Sequence, residues 1–250
     1  MFRSLSAALR VLYGSAALVV FGSLFAVAAL LALAVPTLRW RRRVVSGLAH
    51  LGLLALGLRV SASGLAVLPA DACVVTANHS SYLDGVVLAA ILPPRFSFVI
   101  KREAAALPVV GLLLRRVGSE FVDRHTHGGR HRDARRVLRR AELGHSLVFF
   151  PEGTFDERPG LKRFHVGAFV AAARTGMSVV PVAILGARRA LPPESIIPRP
   201  GRIRVEILGS LVPPAAPHAA EALRDEARRM ILARLDEPDL AQAAATPDRT

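Results

Sequence analysis

Cysteine is almost missing from this sequence: Cys73 is the one example among 250 residues, so no internal disulfide and no cysteine-rich metal site can form. Aromatic residues make up only 6%, and no nucleic-acid-binding motif occurs, which disfavours nucleic acid as a partner. Lysine is found only at Lys101 and Lys162, so arginine carries almost all of the net charge of +14. A charge of this size favours an anionic partner, although abundant arginine is equally typical of a GC-rich genome.

Charge is absent from most of the N-terminal segment. No charged residue lies between Arg10 and Arg39, and the run 11–38 would extend roughly 40 Å as a helix, which exceeds the apolar core of a bilayer at about 30 Å. The apolar part of a cleaved signal peptide is only about 7–15 residues long, so we expect this segment to stay on the protein. Four arginines within 39–43 follow, and the positive-inside rule then predicts a protein of the cell (inner) membrane whose remaining residues are cytoplasmic.

A second apolar stretch, 44–58, is too short to span a bilayer comfortably. It suits an interfacial helix or one arm of a helical hairpin that enters a single leaflet. We therefore predict a hydrophobic two-helix membrane element over residues 1–58, one folded domain over 59–235 and a flexible tail over 236–250. Both a spanning and a monotopic anchor fit this pattern.

Short strand-like runs alternate with helix-like stretches after residue 59. Strands are predicted at 73–76, 96–100, 120–123, 147–150, 178–184 and 202–208. Helices are predicted at 85–92, 104–116, 130–143 and 166–175, with a closing amphipathic helix at 221–235. This order predicts an α/β fold, with a mixed and largely parallel sheet covered by helices. Ligands of such sheets bind beyond the carboxyl ends of the strands, so polar residues at those positions are candidates for a site.

The stretch TANHSSYLDG includes the end of the first predicted strand and contains a histidine and an aspartate, His79 and Asp84. If the chain folds back, the carboxylate can hold one ring N–H and raise the basicity of the other nitrogen, which makes His79 a general base. No GxSxG sequence occurs, and a serine next to its own base is poorly placed for attack, so we expect the nucleophile to be a hydroxyl of the substrate. A turn histidine beside a helix-capping aspartate gives the same pattern.

A second polar turn, PEGT at 151–154, follows the strand predicted at 147–150. Glu152, in a buried position at the sheet edge, requires a partner elsewhere in the fold because an unpaired buried carboxylate is costly. Gly153 permits a ligand to approach the backbone closely. An ordinary turn has the same composition, so this segment indicates a site only in combination with the first one.

NHSSYLD and FPEGT together resemble the glycerolipid acyltransferases of the 1-acylglycerol-3-phosphate acyltransferase type, whose mark is His-x4-Asp with a Phe-Pro-Glu-Gly-Thr block. VGSEFVDR at 117–124 resembles the family's Gly-x-x-Phe-Ile-x-Arg block, and VVPVAILG at 179–186 resembles its Val-Pro-Val-Ala block. The order and spacing of the four blocks agree from about residue 40 to 210. A short N-terminal hydrophobic pair is also typical of the family.

The resemblance implies a glycerolphosphate-acyltransferase-like fold and a membrane-bound O-acyltransferase of phospholipid synthesis. Such an enzyme would move a fatty acyl group from acyl-CoA or acyl-carrier protein to the free hydroxyl of 1-acylglycerol 3-phosphate, giving phosphatidic acid. Neither a metal nor a cofactor is implied. The expected partners are therefore lysophosphatidic acid or a related lyso-lipid, the acyl donor and the membrane.

The resemblance also implies roles for individual residues. His79 would deprotonate the acceptor hydroxyl, and Asp84 would orient His79. The substrate-binding residues that it implies are Lys101, Arg124, Glu152, Gly153, Thr154 and Arg158. Of these, Arg124 and Lys101 would bind the acceptor's phosphate. Glu152 and Gly153 would shape the acceptor site, with backbone N–H groups near the developing oxyanion.

Phe155 departs from the family pattern, because most close relatives carry at this position an arginine that is expected to hold phosphate. A phenyl ring cannot replace a bidentate arginine–phosphate contact. Arg158, Lys162 and Arg163 in the same loop can supply the charge. Otherwise the acceptor is another lyso-lipid, such as a lysophospholipid or a lyso-ornithine lipid. A non-catalytic basic protein on an anionic membrane surface is the alternative from another class.

The segment HTHGGRH at 125–131 places two histidines four residues apart, but its two glycines and the many arginines around it favour solvated side chains over a metal site. The arginine-rich helix predicted at 130–143 has a solvated face as its simplest interpretation. CoA phosphates, an acidic carrier protein and anionic lipid headgroups are its functional alternatives.

Overall fold

The N-terminal segment contains two helices, α1 (Phe2–Ala34) and α2 (Leu38–Ala55). The computed structural model of the protein describes residues 2–123 and 127–243, and the side chains of 12–123 and 132–242. The pair is a hairpin, because the Tyr13 hydroxyl near the start of α1 donates a hydrogen bond of 3.0 Å to Leu56 O, just after α2. Among the described helices, α1 alone, over Leu12–Ala34, is long and apolar enough to cross a membrane.

Seven strands in the described part of the chain form one sheet. They are β1 (Leu58–Ser63), β2 (Cys73–Ala77), β3 (Ser97–Lys101), β4 (Glu120–Val122), β5 (Leu147–Phe149), β6 (Ser178–Leu185) and β7 (Gly201–Ile207). Their order across the sheet is β1-β7-β6-β2-β5-β3-β4. Only β6 and β7 pair in the antiparallel sense; the other neighbours are parallel. The predicted mixed, largely parallel α/β sheet is confirmed.

The edge strand β1 is absent from the predicted strands. It pairs in parallel with β7, with Leu58 opposite Gly201. Exposed Arg59 and Ser61 alternate with the less exposed Val60 and Ala62. This alternation is short and follows directly on an apolar helix, so the local pattern carries little strand signal, and pairing with β7 defines the strand.

Seven more helices lie between and after the strands in the described residues. They are α3 (Leu83–Ile91), α4 (Pro108–Arg116), α5 (His127–Glu142), α6 (Gly167–Thr175), α7 (Ala187–Ala190), α8 (Ala219–Leu232) and α9 (Leu240–Ala243). The predicted helix 104–116 begins only at Pro108, because proline suits the first turn and the preceding residues, Arg102–Ala106, form a 3-10 turn.

The sheet separates two apolar cores. Successive residues of the central strand β2 point to opposite faces: Val75 and Ala77 pack in one core with Leu88 of α3, and Val74 packs in the other with Phe169 of α6. The hairpin of α1 and α2 covers the first core through α3 and also packs on α4. The carboxyl ends of the parallel strands β2, β3, β4 and β5 therefore meet at one edge, next to the helical hairpin.

Residues beyond α8 pack on the domain, in contrast to the flexible tail predicted for 236–250. Leu161 N donates a hydrogen bond of 2.9 Å to Pro238 O. Asp239 forms an ion pair with Arg228, and Glu237 forms one with Arg188. These contacts tie the chain down as far as Asp239, while residues 244–250 of the predicted tail lie outside the described residues.

Candidate active site

His79 and Asp84 meet where β2 ends and α3 begins. The Nδ1 atom of His79 lies 2.9 Å from Asp84 Oδ2, and the same oxygen accepts the backbone N–H groups of Ser80 at 2.7 Å and Ser81 at 2.8 Å. The Asp84 side chain is fully buried, whereas that of His79 is 19% exposed. A carboxylate at the first turn of a helix is also favoured by the helix dipole. With the carboxylate ionised, Nδ1 carries the ring proton and Nε2 is left with its lone pair.

Two phenylalanines hold the His79 ring. Phe150 stacks on it with ring centroids 4.3 Å apart, and Phe155 meets it edge-on at 4.5 Å. Phe155 also contacts the Tyr82 ring edge-on at 4.8 Å. The residue that departs from the family pattern therefore lies directly against the candidate base, where it restricts the ring and excludes water from one side of it.

Glu152 fixes the backbone behind His79. Its Oε1 accepts the His79 N–H at 2.6 Å, and its Oε2 accepts the Lys162 N–H at 2.8 Å. The residue is only 5% exposed. The partner that a buried glutamate requires is thus the backbone of two separate loops. Glu152 positions the base from the inside of the protein, which differs from the expected role of lining the acceptor site.

Asn78 and Ser81 anchor the same loop to the other side of the sheet. Asn78 Nδ2 donates to Ile184 O at 3.0 Å, and Ile184 N donates to Asn78 Oδ1 at 2.7 Å. The Ser81 hydroxyl donates to Leu191 O at 2.8 Å. The sequence did not predict that these two residues hold the loop. Their position next to His79 is the feature of the sequence that points to them.

The turn after β5 brings Gly153 and Thr154 to the same edge. Gly153 has a φ of 82°, which favours glycine, and its N–H donates to Phe150 O at 3.0 Å. This N–H group is already used to close the turn. The resemblance had instead implied that it would donate to an oxyanion. Thr154 is exposed, and its hydroxyl donates to Phe155 O at 3.3 Å.

The expected phosphate-binding residues fall in different places. Lys101 ends β3, and its Nζ lies 3.8 Å from Glu103 Oε1. Arg158 is 78% exposed, with Nη2 3.4 Å from Asp156 Oδ2. Arg124 lies outside the described residues, as do the side chains of the histidines in the segment 125–131. Among the residues that the structure does describe, no cluster of histidine, cysteine, aspartate or glutamate could hold a metal ion.

Two hollows have Tyr82 as a common wall residue. A groove of about 400 Å³ is lined by Tyr82, Phe155, Asp156, Glu157, Arg158 and Pro193. A cavity of about 510 Å³ lies between α1, α2, α3 and α4, and its walls are mostly aliphatic and aromatic side chains. The Tyr82 ring contacts Phe155, and Phe155 contacts the His79 ring, so both hollows are near the histidine.

The raised pKa of Glu152 should make the stability of the protein depend on pH. Burial raises its pKa from 4.5 to about 7, and the nearby Asp84 adds to the rise, while the N–H groups of His79 and Lys162 and the Lys162 ammonium oppose it. Between these pH values the folded protein keeps a proton that the unfolded chain has released. The free energy of unfolding should therefore fall by about 3 kcal/mol as the pH rises from about 4.5 to about 7, and this contribution is constant above that.

Thermal unfolding in detergent between pH 4.5 and 8 tests this expectation. The midpoint of the wild type minus that of Glu152→Gln should decrease across the window, because glutamine does not titrate. Glu142→Gln, at an exposed glutamate on α5, is the matched control and should follow the wild type at every pH. A midpoint difference for Glu152→Gln that is independent of pH would contradict the prediction.

Fold and site together define an α/β protein with a carboxylate-held histidine at the carboxyl edge of its sheet, beside an apolar cavity. The acyltransferase family model matches residues 59–185, half of the chain, and the chain belongs to that family. The matched range contains both His79 and Glu152. The resemblance stated from the sequence blocks is confirmed at this level.

Individual relatives agree with this assignment. The chain is 33% identical over 171 residues to a chloroplast 1-acyl-sn-glycerol-3-phosphate acyltransferase of Brassica napus, covering 67% of this chain and 48% of that protein. It is 38% identical over 159 residues to a lysophospholipid acyltransferase of Mus musculus, covering 60% and 29%. The chain thus spans about half or less of the length of these relatives. The crystal structure of the 1-acyl-sn-glycerophosphate acyltransferase of Thermotoga maritima shares the fold, with a TM-score of 0.73 at 19% identity, covering 99% and 100% of the two chains.

Proposed function

We propose that this protein is a membrane-bound O-acyltransferase. It moves a fatty acyl group from the thioester of acyl-CoA or acyl-carrier protein to the free hydroxyl of a 1-acylglycerol 3-phosphate unit. The observation that carries the proposal is the contact of 2.9 Å between His79 Nδ1 and Asp84 Oδ2, because it leaves Nε2 as a proton acceptor. A non-catalytic basic protein requires neither this pair nor the hollows beside it.

The reaction uses His79 twice. Nε2 takes the proton from the acceptor hydroxyl while the hydroxyl oxygen attacks the thioester carbonyl carbon, and Asp84 stabilises the imidazolium that forms. The tetrahedral intermediate then collapses, the carbon–sulfur bond breaks, and the leaving thiolate takes the proton from His79. The products are an ester and a free thiol, so the enzyme returns to its starting state without an acyl-enzyme.

The cavity between the N-terminal hairpin and the domain supports a fatty acyl substrate. Its walls include Phe21 and Leu24 of α1, Leu48 of α2 and Val86 of α3. Tyr82 lines it too, and the Tyr82 ring contacts Phe155 beside the histidine. Burial of each methylene group of an acyl chain in such a cavity contributes about 0.8 kcal/mol to binding. The proposal is that the chain of the donor or the acceptor lies here during transfer.

For the acceptor, 1-acylglycerol 3-phosphate is the first candidate, with phosphatidic acid as the product. It is the acceptor named for the Brassica napus relative. The second candidate is a lyso-lipid that carries a further headgroup, and its support is Phe155, which places a phenyl ring against His79 where a phosphate-binding arginine was expected. Both kinds of acceptor offer a free hydroxyl to His79, so the chemistry is the same.

An acyl-transfer assay of the full-length protein tests the function. Purified protein in detergent micelles is given radiolabelled acyl-CoA or acyl-carrier protein and a series of lyso-lipids, including lysophosphatidic acid, lysophosphatidylcholine and lyso-ornithine lipid. Formation of a labelled diacyl product with release of one free thiol for each ester supports the proposal. No transfer above the His79→Ala variant, with either donor and every acceptor, would refute it.

Membrane attachment is proposed to depend on α1. The segment Leu12–Ala34 has a mean hydropathy of 2.6, and large side chains such as Leu12, Val19 and Leu30 are exposed on it. The arginines at the start of α2, with exposed Trp40, suit a cytoplasmic headgroup layer of the inner membrane. The catalytic domain would then face the cytoplasm.

Cell fractionation tests this mode of membrane attachment. The full-length protein should stay with the membranes in 1 M salt and in alkaline carbonate, because burial of apolar surface holds it and salt screens only charge. Detergent should release it. A protein that salt alone releases would be bound by its basic surface, and the role given to α1 would be rejected.

A further inference from the structure

The groove beside His79 has a composition that the transfer reaction does not explain. Its walls are two aromatic rings, Tyr82 and Phe155, followed by the charged run Asp156, Glu157 and Arg158. The proton transfer proposed for His79 requires neither the exposed Tyr82 ring nor the charges of this groove. A wall of this type is adapted to a ligand group that interacts with aromatic rings and with carboxylates.

The aromatic side of the groove is open. Tyr82 is 67% exposed although it lies at the N-terminus of α3, against the site. Phe155 supports it edge-on at 4.8 Å and is itself supported by His79. An exposed aromatic ring at the rim of a groove, held by a neighbouring ring, can attract a cation through its electron-rich face, most strongly where water is partly excluded.

The charged side of the groove contains one carboxylate that has no ion-pair partner within the described part of the chain. Asp156 lies 2.7 Å from Lys162 Nζ and 3.4 Å from Arg158 Nη2, so its charge is balanced. Its backbone oxygen accepts Arg188 Nη1 at 2.8 Å. Glu157, in contrast, forms no ion pair with any residue that the structure describes. The groove therefore has a negative site next to the aromatic rings and a positive site at Arg158.

We propose that this groove binds an ammonium headgroup carried on the phosphate of the acceptor, with Tyr82, Phe155 and Glu157 around the ammonium and Arg158 beside the phosphate. The inference rests on the proposed function, because it assigns to the groove the binding of the acceptor's headgroup. A bare phosphate dianion fits less well, since Glu157 would repel it and Phe155 offers it no hydrogen bond. A zwitterionic headgroup satisfies both ends of the groove.

Four lyso-lipids with the same acyl chain test the inference on the full-length protein. Lysophosphatidylcholine and lysophosphatidylethanolamine carry an ammonium; lysophosphatidylglycerol has the same phosphodiester without one; lysophosphatidic acid has no headgroup. We expect kcat/KM for the ammonium acceptors to exceed that for the glycerol acceptor by about tenfold. A preference for choline over ethanolamine would mean that the rings contribute most of the selectivity for the ammonium group. The reverse preference would mean that Glu157 contributes most of it.

Four variants of the groove identify the residues responsible. Glu157→Gln and Tyr82→Leu should each lower the ratio of kcat/KM for the choline acceptor over the glycerol acceptor, whereas Tyr82→Phe should keep that ratio because the ring is preserved. Glu142→Gln, at an exposed glutamate on α5, is the charge-matched control and should not alter the ratio. Phe155→Arg, which adds a cation to the groove, should move the preference towards lysophosphatidic acid.

The outcomes separate this inference from the function on which it rests. If all four acceptors are acylated and the glycerol acceptor is as good as the choline acceptor, the ammonium site is rejected and the transferase stands. The same holds if the ratio is unchanged in Glu157→Gln and Tyr82→Leu. If no acceptor is acylated with either donor, the proposed function itself fails, and the headgroup assignment fails with it.

Discussion

The His79→Ala variant should lose acyl transfer almost completely, with kcat lower by about 10²- to 10⁴-fold. The reason is that Asp84, the carboxylate next to the ring, is fully buried behind it and cannot take the proton from the acceptor hydroxyl in its place. The KM for the acceptor should change much less, because the apolar cavity and the groove remain. The measurement is initial-rate kinetics with a lyso-lipid acceptor and an acyl thioester.

A control is needed because removal of the ring also leaves space between Phe150 and Phe155. The thermal unfolding midpoint of His79→Ala in detergent should show that the fold is retained. His50→Ala, at an exposed histidine of α2, is the matched substitution and should keep the wild-type rate. A folded His79→Ala protein with turnover within threefold of the wild type would exclude the general-base mechanism.

Asp84→Asn should produce the second large loss, with kcat lower by about 10²- to 10⁴-fold. The substitution keeps the shape of the side chain and breaks no existing hydrogen bond, because Asp84 Oδ1, the atom that the amide nitrogen replaces, has no hydrogen-bond partner among the described residues. The amide oxygen can still accept the N–H groups of Ser80 and Ser81. What disappears is the negative charge that stabilises the imidazolium during proton transfer.

A control substitution at another aspartate shows whether the loss is specific to the Asp84 carboxylate. Asp71→Asn, at an exposed aspartate before β2, should leave kcat unchanged. The buried amide nitrogen of Asp84→Asn has no acceptor, and an unsatisfied polar group costs about 1–3 kcal/mol of stability, so a lower unfolding midpoint is also expected. Wild-type kcat in a folded Asp84→Asn protein would mean that the carboxylate has only a structural role.

Asp84 decides between two alternatives that the sequence leaves open. One interpretation of the pattern is a helix-capping aspartate beside a turn histidine, and the other is an aspartate that orients a base. In the structure a single oxygen, Oδ2, accepts the N–H groups of Ser80 and Ser81, which precede α3, and also contacts the His79 ring nitrogen. The N-cap residue of α3, Tyr82, makes no capping hydrogen bond with its side chain. The loop N–H groups therefore hold the carboxylate rigidly, as a base of this kind requires.

The sequence by itself determines the features that depend on neighbouring residues. The apolar run before Arg39, the alternation of strands and helices, and the five-residue spacing of His79 and Asp84 are all local, so each is visible without the fold. The largely parallel sheet follows from the same alternation, because parallel strands need crossover helices between them. Strand β1 escapes prediction because it follows directly on an apolar helix, and helices α7 and α9 escape it because each has only four residues.

The tertiary structure alone decides how the site is closed. Glu152 accepts the His79 N–H although the residues are 73 positions apart, and Phe155 lies against the His79 ring. Both contacts exist because β2 and β5 are adjacent parallel strands, so the loops after their carboxyl ends meet at one edge. The cavity between α1, α2, α3 and α4 likewise needs four separate helices to surround it. Such contacts depend on which strands and helices become neighbours, and residue spacing along the chain does not encode that.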